Sequence, residues 1–246
     1  MTVANDLECS HTSEAIRVRL TRGARVNYLR DWIYGAIDGG VTTFAVVAGV
    51  VGADLPASVV LLLGFANLIA DGFAMAASNY SGTKADRDDY KRVLEIERRH
   101  IALIPEGERE EIRQIFGAKG FAGDDLERLV HVISRDPGLW ARTMAVEEYG
   151  LSPIPRSPAL AALSTFVAFI VCGVVPLVTY LVLGGLVSCV VGTGAIFFSV
   201  GAIKSRWSPV VWWRSGLETL AIGMSAAALA FAIGYSLRIL FHISPS

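Results

Sequence analysis

Asp38 is the only charge in the apolar stretch 32–53. A carboxylate at that depth in a bilayer is costly, so it faces a bundle interior or an ion path. Gly35, Gly39 and Gly40 flank it, and Thr42 follows one turn on. The glycines let helices pack closely, and they also leave room beside the carboxylate. In the next apolar stretch, 55–80, Asp71 is again the sole charge. Asn67, Asp71, Met75 and Asn79 recur there every four residues, which sets them along one helical stripe. Oxygen donors suit hard or borderline divalent ions and a thioether adds softness. The same stripe also fits a polar packing seam with a gap-filling methionine.

A second set of donors lies in the charged block 84–156. Glu97 and His100 are spaced i,i+3, as are Glu108 and Glu111; Met144 and Glu148 are i,i+4, with Glu147 beside them. Each pair shares a helical face, so three helices can bring two ligands each to a common centre. Taken singly, the usual meaning of such a pair is a solvated face, neutralised here by Arg98, Arg99, Arg109 and Arg113. His131 fits a surface or core position.

The elements that must hold these residues follow from the apolar pattern. The chain has 246 residues, 53% of them apolar, which is high for a soluble domain. About 20 apolar residues cross a bilayer. Residues 32–53 and 55–80 qualify; 159–203 is charge-free and long enough for two spans, with a break at Gly184-Gly185; 219–237 is the fifth. Pro176 interrupts the third span, and Glu218 stands at the start of the fifth. Arg17, Arg19, Arg22, Arg25 and Arg30 precede the first span, while Lys204, Arg206 and Arg214 lie between the fourth and fifth. Both groups fall on the same side as the charged block, and only Arg238 and His242 lie opposite. Basic residues mark the cytoplasmic side, so the N-terminus and the block are expected there, with the C-terminus opposite. Trp207, Trp212 and Trp213 suit the interface belt.

The expected architecture is an all-α integral membrane protein. Its parts are a cytoplasmic segment (1–30), transmembrane helices 1 and 2 (31–83), a helical cytoplasmic metal-binding domain (84–157) and transmembrane helices 3 to 5 (158–246). Within the block, 84–103 continues the second span as one long helix. Helices follow at 106–116 behind Pro105, at 124–134, and from Asp136-Pro137 to Glu148, where Gly150 stops the run. Pro153, Pro155 and Pro158 form a stiff return to the membrane. Residues 1–30 carry no apolar core of a cleavable signal peptide.

Several classes drop out. The net charge of −1 gives no reason to expect nucleic acid. Cys9, Cys172 and Cys189 form neither a disulfide framework nor a CxxC knuckle. There is no nucleotide loop, GxSxG or HExxH, so no enzyme and no prosthetic group are expected.

The whole chain resembles the vacuolar iron transporter family. The likeness runs through Tyr28-Leu-Arg-Asp-Trp-Ile-Tyr-Gly-Ala-Ile-Asp38-Gly-Gly-Val-Thr-Thr-Phe44 and Ala66-Asn-Leu-Ile-Ala-Asp71-Gly-Phe-Ala-Met75. It recurs at Ser134-Arg-Asp-Pro-Gly-Leu-Trp140, from Met144 to Glu148, and at Arg156-Ser-Pro158. The resemblance implies a homodimer exporting Fe²⁺ from the cytosol in exchange for protons, with Mn²⁺, Zn²⁺ or Co²⁺ as other substrates. In a bacterium its place would be the plasma membrane. It puts Asp38 and Met75 on the ion path, and gives metal-holding roles to Glu97, Glu108, Glu111, Met144 and Glu148. His100 stands where a Glu is common in the family and Ala145 where a second Met is common; Asn67 and Asn79 occupy positions where acids are often seen. Two other readings fit the same residues: a passive divalent-cation channel, and a membrane-anchored metal sensor or scaffold.

Overall fold

The computed structural model describes residues 11–23, 26–153 and 156–241. Cys9, Arg25, Pro155 and His242 lie outside them, and so does the side chain of Arg22. Among the described residues there are nine α-helices and no strand. In order they are α1 (Ser13–Arg22), α2 (Leu29–Gly52), α3 (Ala57–Leu103), α4 (Pro105–Ala118), α5 (Gly123–Ser134), α6 (Pro137–Glu147), α7 (Pro158–Leu183), α8 (Gly185–Lys204) and α9 (Trp212–Phe241). A short 3-10 turn, Ser205–Trp207, precedes α9. The chain divides into two compact units, one comprising Tyr28–Lys84 with Ser157–Ser246 and the other Met1–Asn27 with Ala85–Arg156.

The first unit holds the apolar helices. Helices α2, α3, α7, α8 and α9 are each long and apolar enough to cross a membrane. Their outward faces carry exposed Leu62, Phe65, Val171, Val187 and Leu229, as expected where the solvent is hydrocarbon. Inside, Phe44, Val47, Leu68, Phe169 and Leu177 form the core. Helices α2 and α7 touch backbone to backbone. A Cβ on Gly35 would strike the Thr165 carbonyl, and one on Gly39 the Phe169 carbonyl. These two glycines are therefore packing residues, one turn apart, in the manner of small-residue membrane interfaces.

Helix ends follow local chemistry. Ser157 caps α7 by accepting from the Leu160 N–H at 3.4 Å, with Pro158 in the first turn. Gly184 and Gly185, at φ 74° and 80°, make the turn into α8. Around Pro176 the Thr179 hydroxyl donates to the Val175 carbonyl at 2.8 Å, and the Cys189 thiol to the Pro176 carbonyl at 3.3 Å. The last span starts earlier than residue 219: α9 begins at Trp212, and Glu218 pairs with Lys204 at 3.5 Å.

The second unit is built of short polar helices around Ile112, Val130, Ile133, Trp140 and Met144. Pro105 opens α4 with Glu106 and Glu108 in its first turn, where the helix dipole favours anions. Asp124 and Asp125 do the same for α5, and the Asp136 side chain caps α6 through the Gly138 N–H. Helix α3 runs unbroken from the apolar stretch through residue 103, as the sequence pattern implies. Helix α1, capped by Thr12, has no counterpart in the expectation of a plain polar N-terminal segment. Helix α4 runs two residues past the expected end at 116, through Gly117 to Ala118, and Gly120, at φ 98°, follows its end.

Candidate metal centre

Glu97 and His100 share a face near the end of α3, one turn apart. The helix stops at Leu103, Ile104 adopts an extended φ of −137°, and α4 starts at once. That reversal brings Glu108 back onto the same face. One ligand atom from each of Glu97, His100 and Glu108 lies within 4.8 Å of the others. His100 Nδ1 is 3.3 Å from Glu108 Oε1 and 4.0 Å from Glu97 Oε1. Donors around a tetrahedral ion with bonds of about 2.1 Å sit roughly 3.4 Å apart, so a small contraction closes this set on a cation.

Both carboxylates are buried, Glu97 at 1% and Glu108 at 4% exposure. Oε2 of each is buried without a hydrogen-bond partner among the described residues. Buried charges persist when paired or when they coordinate a metal. Arg109 and Arg113 do not neutralise these two acids. Arg109 pairs with Glu106, and Arg113 with Glu110 at 2.5 Å and Glu127 at 2.6 Å. The solvated-face alternative therefore fits Glu106, Glu110 and Glu127, and fails for Glu97 and Glu108.

Electrostatics extends the cluster. Burial, and then the Glu97 and Glu111 carboxylates, push Glu108 up to about 8. Burial, followed by Glu97 and Glu111, also raises Glu148, against a lowering by His100. Glu111 and Glu148 thus share one negative field with the buried pair. The Tyr149 hydroxyl donates to Glu97 Oε1 at 3.2 Å, and burial with the nearby acids pushes that phenol up to about 12, so it stays a donor.

The remaining residues separate. Met144 is fully buried, packed in the core with Ile112 and Trp140. Glu147 is engaged by Lys119. His131 is exposed.

In the apolar unit, Asp38 is half-buried on α2, and Asp71 lies close enough to act on it electrostatically. Thr42 donates to the Asp38 backbone carbonyl at 2.9 Å. Met75 packs partly buried against the core. Asn67 carries a buried amide nitrogen without a hydrogen-bond partner among the described residues. Asn79 is bound into the fold instead, its amide donating to Asp31 Oδ1 at 2.9 Å and to the Thr165 hydroxyl at 2.7 Å. Sequence reasoning overlooked Asp31, which is 2% exposed. Its signal was available, since it precedes Asp38 by two helical turns. Tyr149 was also missed, and no spacing rule pointed to it.

The profile described as "VIT family" matches residues 29–235. The chain belongs to the VIT family. Among curated relatives, "Vacuolar iron transporter 2" of Oryza sativa subsp. japonica is 31% identical over 215 residues, covering 85% of this chain and 87% of its own. "Vacuolar iron transporter 1" of Arabidopsis thaliana is 30% identical over 210 residues, 83% and 84% of the two chains. "Vacuolar iron transporter" of Toxoplasma gondii is 30% identical over 233 residues, 87% and 75%. Membership in this family and five long apolar helices make the chain a multi-pass membrane protein.

Proposed function

We propose that this VIT-family chain exports divalent metal, Fe²⁺ first and Mn²⁺ second, from the cytosol in exchange for protons. The observation that carries the reading is the pair of buried acids, Glu97 and Glu108, each with one oxygen near an imidazole and the other unpartnered among the described residues. Carboxylate oxygens with one nitrogen suit Fe²⁺, Mn²⁺ and Zn²⁺ better than Mg²⁺ or Ca²⁺. Glu111 and Glu148 add field, and Met144 is a thioether in the buried core of the same unit. This unit collects cytosolic metal and raises its supply to the membrane helices of the same chain.

Translocation runs along α2 and α3 through Asp38, Asp71 and Met75. Asp38 must be ionised to hold a cation, and a proton competes for the same oxygen. Inward protons then release outward metal, which is exchange by competition. The chain works as a homodimer whose α2 and α3 faces meet a second copy. The half-buried face of α2 around Asp38 and an open apolar groove on α3, lined by Leu62, Phe65 and Ile69 among others, support that pairing.

The test is Fe²⁺ and Mn²⁺ flux in sealed proteoliposomes, with and without an imposed pH gradient. Flux that responds to the gradient and disappears in Asp38→Ala is the expected result. Gradient-independent flux would make the protein a passive channel, and undiminished flux in Asp38→Ala would remove that residue from the path.

A further inference from the structure

Tyr149 follows α6 and is 41% exposed. An exposed tyrosine gains little from burial, so it is no core filler. Yet its hydroxyl reaches inward to Oε1 of Glu97, an acid that is 1% exposed. The backbone around it is fixed. Gly150, at φ 66°, donates its N–H to the Val146 carbonyl at 3.1 Å, and the Leu151 N–H donates to the Ala145 carbonyl at 3.0 Å. A left-handed glycine closing a helix in this way holds the residue before it in one direction.

The terminal torsion of a glutamate is broad and roughly two-fold. A lone buried carboxylate can rotate its oxygens among several positions. One hydrogen bond to Oε1 removes that freedom and fixes where Oε2 lies, and Oε2 is the oxygen left without a partner. Partners of this kind, which touch the ligand and not the metal, typically change affinity by about 10–100-fold when removed.

We propose that Tyr149 is a positioning residue for the metal centre, orienting Glu97 through its hydroxyl and so setting the affinity of the site. The proposal rests on the metal-binding reading of Glu97, His100 and Glu108. The groups that face this carboxylate are His100, Glu108, Glu111 and Glu148. His100 cannot replace the phenol, because its Nδ1 is 4.0 Å from Glu97 Oε1, and it is the phenol that donates to that oxygen in this structure.

The experiment uses the full chain in detergent, titrated with Mn²⁺ and followed by calorimetry and by electron paramagnetic resonance of the bound ion. Wild type, Tyr149→Phe and Glu97→Gln are compared, with the metal-free melting temperature of each. The expected result is Mn²⁺ binding in wild type, affinity about 10-fold weaker in Tyr149→Phe with an altered resonance line shape, and loss of the site in Glu97→Gln. Melting of the metal-free Phe variant should match wild type. Replacing Tyr149 by para-aminophenylalanine keeps a donor at the same place and should restore both affinity and line shape. A Phe variant with wild-type affinity and an unaltered spectrum overturns the proposal while leaving the site intact. Failure of wild type to bind Mn²⁺ overturns the site and the proposal together.

Discussion

Glu108→Gln should make the metal-free protein more stable at neutral pH while destroying its affinity for metal. The reasoning starts from the carboxyl group of Glu108, raised from 4.5 to about 8 by burial and by its acidic neighbours. A raised folded-state value means that the folded chain binds more protons than the unfolded chain between pH 4.5 and 8. Stability is therefore full below the unfolded value and is lost as pH climbs towards 8. At pH 7 the loss is on the order of 3 kcal/mol, from about 2.5 pH units at 1.36 kcal/mol each. Glutamine has the same shape, carries no proton to lose, and can donate to the unpartnered oxygen of Glu97.

The assay is amide hydrogen exchange in α4 and α6, in chelator, at pH 5, 7 and 8 after correction for intrinsic rates. Wild type should open more readily at pH 8 than at pH 5, and the Gln variant should be nearly flat and better protected at pH 7. Saturating Mn²⁺ should reverse the ranking, because a ligand at 1,000 times its Kd stabilises by about 4.1 kcal/mol and the variant gains little of it. Metal must displace the proton, so wild-type affinity should be about 50-fold weaker at pH 6 than at pH 8. A wild type whose protection does not change with pH, or a Gln variant opening faster than wild type at pH 7 in chelator, refutes the argument.

Other substitutions separate structure from transport. Glu147→Gln should leave Mn²⁺ affinity unchanged in calorimetry, since Lys119 already engages that carboxylate. Gly39→Ala should lower the melting temperature in detergent, because the new Cβ meets the Phe169 Cα at 2.8 Å and overpacking of this kind costs about 1–3 kcal/mol. Asp31→Ala removes one acceptor from the Asn79 amide, which keeps the Thr165 hydroxyl and the Ala161 carbonyl, so it should cost about 1 kcal/mol of stability, visible as a lower melting temperature with flux per folded molecule retained. Asp38→Ala should do the reverse, keeping the melting temperature and losing flux.

The five apolar helices and the unbroken α3 were legible in the sequence because hydrocarbon thickness and backbone satisfaction leave few choices. The Gly184-Gly185 turn was legible because only glycine takes those angles easily. The helical spacing of Glu97, His100 and Glu108 identified a candidate set, but spacing could not say which acids face the arginines. That depends on the reversal at Ile104, which turns Glu108 inward while Glu106 and Glu110 stay out. Glu147 shared the same helical logic and went instead to Lys119, a partner 28 positions away in the chain. Tyr149 was invisible because a single hydroxyl in a loop has no period.

Asp31 and Asp38 show what distinguishes a structural acid from one that needs a cation. They sit two turns apart on one face of α2, about 10.5 Å along the axis. Asp31 is buried and faces a donor, the Asn79 amide, while its own backbone carbonyl takes the Thr165 hydroxyl at 3.2 Å. Its demand is met within the fold. Asp38 instead has the Asp71 carboxylate within electrostatic reach, and like charges near one another are relieved by a cation between them. Glu97 and Glu108 repeat that arrangement in the other unit, with oxygens unpartnered and Arg109 and Arg113 turned elsewhere. Acid near acid is thus the common device at both places where this chain is proposed to hold metal, and the same repulsion that makes the pair bind a cation lets protons take it away.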